Sequence, residues 1–199
     1  MVRVSRCSPL VRALLALAVD LVLSVPLLEA VRRGFAQEGF AGGVVNCQGG
    51  MLGPFAYVMP ALSKTGENAA FYSDTFRPAG PVTLATAAMT FGERDGARFF
   101  HCHALWTEAD GRVTGGHILP EETLVAAPFQ VQAYGIDGAL FRADPDPETR
   151  FKLFGPVAAP PSGAQAPDRA FALRLRPNQD FAGALEGFCR DHGIARANV

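Results

Sequence analysis

Glycine and proline interrupt this chain so often that it has room for short strands and turns but little room for long helices. There are 21 glycines and 15 prolines in 199 residues, about half again the usual share of the two together, and each tends to end a helix or a ladder. Between the breaks, short runs rich in β-branched and aromatic residues recur. Gly42 to Cys47, Phe55 to Leu62 (broken by Pro60), Val82 to Phe91, Arg98 to Trp106, Val113 to Ile118, Phe129 to Tyr134 and Ala139 to Arg142 read as strands, with Gly92 to Gly96 as a turn. One stretch has the helical period instead. Leu27, Val31 and Phe35 fall at i, i+4 and i+8, set against Glu29, Arg32, Arg33, Gln37 and Glu38, with Pro26 at the first turn and Gly39 as a stop. This pattern predicts an α+β fold, mainly an antiparallel sheet with one or two packed helices. Apolar residues at 49% and charged residues at 19% supply a core and exclude a disordered chain.

Residues 1–20 read as an N-terminal extension of unclear role. Arg3 and Arg6 precede an apolar run from Leu10 to Val25, the layout of a signal peptide, yet Arg12 and Asp20 interrupt it. At 16 residues the run is short of the roughly 20 that a membrane helix needs. The alternative is a strand leading into the helix of a cytoplasmic domain. Cys7, Cys47, Cys102 and Cys189 lie far apart with no CxxC pair, which fits a reducing compartment and a cytoplasmic protein. Residues 21–153 form the main domain, and 154–168, rich in Pro, Gly, Ala and Ser, read as a linker. Beyond it the chain resumes a familiar order. A shift of 154 residues lays Phe181 to Val199 over Leu27 to Val45, with Ala184 on Ala30, Gly193 on Gly39, Ala195 on Ala41 and Val199 on Val45. Upstream, Phe171, Leu173 and Leu175 fall on Leu17, Val19 and Leu21. Residues 169–199 are therefore either the start of a truncated second copy or a C-terminal helix of the first domain.

Three of the four histidines, His101, His103 and His117, fall within 17 residues. On a strand, His101 and His103 share a face, while Cys102 points the other way among Phe100, Ala104 and Trp106 as a small core residue. His117 joins them if the hairpin turns correctly. A three-residue loop Ala109-Asp110-Gly111, with Gly111 in the left-handed conformation, pairs Glu108 with Arg112 and sets His103 opposite His117. A two-residue loop Asp110-Gly111 shifts the register by one and sends His117 to the other face, and a bulge at Gly115-Gly116 would change it again. Three imidazoles on rigid strands are the ligand set of an open zinc site; nickel or iron(II) would also accept them. The competing reading is an ordinary half-exposed strand pair.

His101-Cys102-His103, then Asp110-Gly111, then Gly115-Gly116-His117-Ile118-Leu119 resembles the HxH…dG…GGH signature of the plants-and-prokaryotes-conserved (PPC) domain. The helix followed by VVNCQGGMLG and the strand Phe129 to Tyr134 resemble other parts of that domain, over roughly residues 20 to 145. The resemblance implies an α+β fold assembled as a homo-oligomer, a trimer. Bacterial members are described as DNA-binding proteins, and plant members carry AT-hooks. The domain is also similar in fold to acetolactate decarboxylase, whose HxH…H set holds zinc, so the resemblance implies a divalent metal, zinc, on His101, His103 and His117. Thr83 and Met89 stand where the family has an acidic residue and a glycine, and the first 20 residues match nothing in it.

Charge weighs against direct DNA contact. The formal net charge is −1, the lysines are Lys64 and Lys152 alone, and no Arg-Gly-Arg-Pro core occurs. A DNA-binding role would need a basic patch built by trimer symmetry. A metal-dependent lyase or hydrolase would need an acid or base, for which Glu108, Glu121 and Glu122 are candidates. The last two follow Pro120, where a solvated turn is the ordinary reading. No phosphate loop and no Ser-His-Asp set is present, so catalytic residues stay unassigned. His192 reads as a favourable charge at a helix C-terminus. The expected protein is an oligomeric metal-binding domain that takes a small-molecule ligand or a partner and has no membrane role.

Overall fold

In the computed structural model, which describes residues 10–11, 13–68, 71–161, 170–175 and 179–198, with side chains from residue 18 onward, the alternating runs pair into one large sheet. In chain order the elements are β1 (Leu10–Val11), β2 (Ala13–Leu21), α1 (Leu27–Gln37), β3 (Gly43–Gln48), β4 (Met51–Leu52), β5 (Tyr57–Val58), β6 (Pro60–Ala61), β7 (Phe71–Tyr72), β8 (Val82–Arg94), β9 (Ala97–Thr107), β10 (Val113–Ile118), β11 (Val125–Ala127), β12 (Phe129–Asp137), β13 (Ala139–Pro145), β14 (Lys152–Ala158), β15 (Ala170–Phe171) and α2 (Phe181–Asp191). The main path runs β2-β12-β3-β8-β9-β10-β5. All its pairings are antiparallel; the parallel contact of β13 with the end of β8, at Gly92 to Arg94, lies off that path. The predicted α+β class and antiparallel sheet are what the chain forms.

The predicted helical stripe is the buried face of α1. Leu27, Val31 and Phe35 are fully buried, and Phe35 stacks on Phe91 at 4.4 Å between ring centroids. Gly34 sits in the helix interior, where it costs about 1 kcal/mol relative to alanine. Its bare backbone lets α1 settle on β2: a Cβ there would lie 2.4 Å from Val19 Cγ1. On β9, Phe100, Cys102, Ala104 and Trp106 face the same core, and Trp106 meets Phe55 and Tyr57 edge-on at 4.8 and 4.7 Å. Burial pushes the Cys47 thiol up to about 11 and raises Cys102 as well, so both behave as small inert core residues.

Several boundaries move. Ala13–Leu21 pairs along its whole length with β12, so residues 13–20 are part of the sheet rather than an appendage to it. The stretch read as a linker at 154–168 begins inside a strand, because β14 runs to Ala158 and pairs with β13 from Lys152 to Ala158. Gly155 and Pro156 disguise it. Proline is tolerated there because, among the described residues, β14 is an edge strand bonded to β13 alone; residues 162–169 lie outside the described part. The turn expected over Gly92 to Gly96 is confined to Asp95-Gly96, both with positive φ, and Gly92 stays in the ladder opposite Phe99.

The tail forms a strand and a helix. β15 pairs with β1, Ala172 packs with Ile136 and Ala139, and Arg174 reaches Asp146 at 3.0 Å. The Asp180 side chain accepts from the Gly183 N–H and caps α2, whose residues are half-buried or exposed. Ile194 to Asn198 form no strand, unlike the stretch after α1. No helix of the described residues is long and apolar enough to cross a membrane.

Candidate metal centre

The β9–β10 hairpin sets the geometry of the site. Its loop is Ala109-Asp110-Gly111: the Glu108 N–H donates to the Arg112 carbonyl (2.8 Å), the Gly111 N–H donates to the Glu108 carbonyl (2.9 Å), and Gly111 has φ 87°. The ladder then runs without a slip from Val113↔Thr107 to His117↔His103, so Gly115-Gly116 holds no bulge. These glycines serve clearance instead. A Cβ at Gly115 would meet Leu105 Cδ2 at 2.6 Å, and one at Gly116 would crowd Met59 Sδ at 3.0 Å. Direct opposition puts His117 on the face of His103, and the strand repeat adds His101.

The rings converge. Centroids of His101 and His103 are 4.7 Å apart, of His101 and His117 4.6 Å, and of His103 and His117 5.5 Å. One ligand nitrogen from each lies within 4.8 Å of the others, the only such cluster of potential ligands among the described residues. His117 Nδ1 is buried without a hydrogen-bond partner, a cost that a cation would relieve. Burial, followed by the charge of His103, holds the His101 imidazole down at about 4. Burial again, then the charges of His101, His103 and Arg94, hold His117 at about 4. Both rings are thus neutral near pH 7, the form that ligates. Tetrahedral zinc with Zn–N bonds near 2.0 to 2.1 Å needs nitrogens about 3.4 Å apart, within reach of small ring rotations. The donor set fits a divalent ion of the zinc type, and exposed His103 leaves one side open to solvent.

None of the three candidate carboxylates belongs to the cluster. Glu108 is buried and committed to the hairpin, accepting from Arg112 Nη2 (2.6 Å) and Thr114 Oγ1 (3.0 Å); the Arg112 bond keeps its carboxyl below the usual range. Glu122 pairs with Arg77, and Glu121 lies 3.6 Å from Arg94. His192 caps the C-terminus of α2, with Nδ1 2.9 Å from the Phe188 carbonyl.

Residues that sequence reasoning missed wall the site. Tyr72 of β7 lies 5.6 Å from the His117 ring, Phe151 is 5.8 Å from Tyr72, and Phe154 of β14 is 6.4 Å from His101. Arg94 places its guanidinium carbon 3.4 Å over the Phe99 ring. A separate groove of about 450 Å³ between Leu23, Pro54, Pro81 and Val125 offers no charged side chain.

No protein-family model matches the sequence, and no curated protein resembles it closely enough to count as a match. Solved structures do share its fold. A plant- and prokaryote-conserved (PPC) protein from Pyrococcus horikoshii superposes with a TM-score of 0.56 at 18% identity, covering 80% of this chain and 100% of that one. A protein described as metal-containing, from Archaeoglobus fulgidus, gives 0.55 at 16% identity over 75% of this chain and 98% of its own. A candidate DNA-binding protein from Bacteroides thetaiotaomicron gives 0.51 at 13% identity, over 70% and 91%. The fold is that of PPC proteins.

Proposed function

We propose that this protein is an oligomeric metal-binding module whose His101, His103 and His117 hold a divalent ion, zinc by preference, with an open position for a small ligand. The observation that carries this reading is the convergence of three ligand nitrogens within 4.8 Å, one ring carrying a buried, unpartnered Nδ1. The metal-containing description of the Archaeoglobus neighbour agrees with it. When bound, such an ion would polarise a ligand oxygen or lower the pKa of water. The chain's own contribution is to present neutral imidazoles on rigid strands and to surround two of them with aromatic rings. Among the described residues no carboxylate joins the three ligands to act as a base, which favours binding over hydrolysis. Metal analysis of the purified protein beside His103→Ala tests this. His103 is exposed, so the variant should fold, and metal content should drop from about one ion per chain to near zero; equal content in both would end the reading.

The assembly is proposed to be a trimer, as the PPC resemblance implies. Met59, Leu105 and Val113 are exposed apolar side chains at the β9–β10–β5 end of the sheet. Sedimentation should return three times the 21.1 kDa of one chain. The second reading, DNA binding, draws on the description of the Bacteroides neighbour. It has the net charge of −1 against it.

The tail is proposed to be the start of a second copy of the domain. α1 and α2 are both 11 residues long, α2 begins 154 residues after α1, and Gly39 and Gly193 both end their helices at positive φ. β15 falls on Ala16-Leu17 of β2 under the same shift.

A further inference from the structure

Three neutral imidazoles leave the charge of a bound divalent ion without compensation, and the same face of the sheet carries a second positive group. Register fixes its place. Arg94 opposes Ala97, Gly92 opposes Phe99, Thr90 opposes His101 and Ala88 opposes His103. Opposed residues share a face, so Arg94 lies on the histidine face with a single side-chain position, that of Phe99, between its row and that of His101. Alternate residues on a strand are about 7 Å apart.

The guanidinium is positioned by more than an ion pair. It rests 3.4 Å above the Phe99 ring, and Phe99 is buried. Its acidic neighbour Glu121 stands 3.6 Å away, beyond hydrogen-bond length, so the stacking fixes the planar fork while its edge can still take a carboxylate. The Arg94 side chain remains 40% exposed. Phe154 beside His101, and Tyr72 beside His117, supply aromatic surface at the metal end for a carbon skeleton.

We propose that this face binds a short dicarboxylate, one carboxylate on the open metal position beside exposed His103 and the other on Arg94. The inference rests on the metal reading above and specifies the ligand class of that same site. The spacing suits a chain of about three to five carbons, since the two anchors lie roughly one to two strand repeats apart. Arg94 is a binding residue here, with no part in any proton transfer.

The test uses the full-length protein loaded with cobalt(II), whose visible absorption reports both metal binding and replacement of a ligand at the metal. Succinate should perturb the spectrum at a concentration at least tenfold below that needed by acetate, which has one carboxylate only. Arg94→Gln should keep the cobalt spectrum of the free site and bring succinate to the level of acetate. Arg94→Lys, which keeps charge but not the planar fork, should fall between. If cobalt binds but succinate and acetate act alike in the wild type, or if Arg94→Gln keeps the preference, the ligand class is wrong while the metal site stands. If no cobalt spectrum forms, both readings fall together.

Discussion

His101 and His117 are kept uncharged by their surroundings, and this gives the protein a pH-dependent stability of definite sign. An imidazole whose folded-state pKa lies at about 4, below an ordinary value of 6.5, binds fewer protons folded than unfolded between those limits. Stability therefore rises with pH across that window, is complete above it, and is lost as the pH falls toward 4. The lowered carboxylates act further down. Glu108, held by Arg112, contributes stability above its ordinary value of 4.5 and loses it below. Between pH 4.5 and 6.5 the two rings dominate. The melting temperature of the metal-free protein should climb over that interval and level off above it, and a His101→Gln, His117→Gln double variant should flatten the climb. A flat wild-type profile would contradict the burial of these rings. His103 is the exposed member of the set, which suits it to meet an incoming ion first.

At the scale of elements, the β9–β10 hairpin decides everything about the site, because a one-residue change of register inverts every side chain beyond it. Deleting Ala109 converts the loop to two residues and should turn His117 away from His101 and His103. We expect that variant to retain strand content by circular dichroism and lose at least tenfold in metal affinity. Retained affinity would show that the ladder re-forms its register through a bulge at Gly115-Gly116. This hairpin was legible in the sequence because turn chemistry is local: Gly111 supplies the left-handed residue, and the alternation of Phe100, Cys102, Ala104 and Trp106 fixes which face is core. The α1 stripe was legible for the same reason. β14 was not, since Gly155 and Pro156 carry breaker signals that only its edge position tolerates. Nor were Tyr72, Phe154 and Arg94 as neighbours of the histidines. Tyr72 and Phe154 reach them through tertiary contacts, which no spacing rule encodes, and Arg94 was hidden by reading Gly92 to Gly96 as a turn when the ladder continues to Arg94.

At the scale of the whole molecule, the sheet draws on distant parts of the chain. β12 lies between β2 and β3, with Gln132 to Gly135 bonded on both sides, so it is shielded by a strand from the first tenth of the sequence. Val19 and Leu21 of β2 are buried against the core, each stabilising the fold by roughly 1.5 to 3 kcal/mol. A shortened chain beginning at residue 21, the boundary that composition alone suggests, would keep all three histidines and both walls of aromatic rings. It would nonetheless leave the β2-facing amides and carbonyls of β12 without partners from Gln130 to Asp137, an open seam of the kind that recruits foreign strands. Such a protein should elute in the void volume of a sizing column at concentrations where the intact chain does not. Anyone cutting the chain to isolate the histidine site would then be studying precipitation rather than metal.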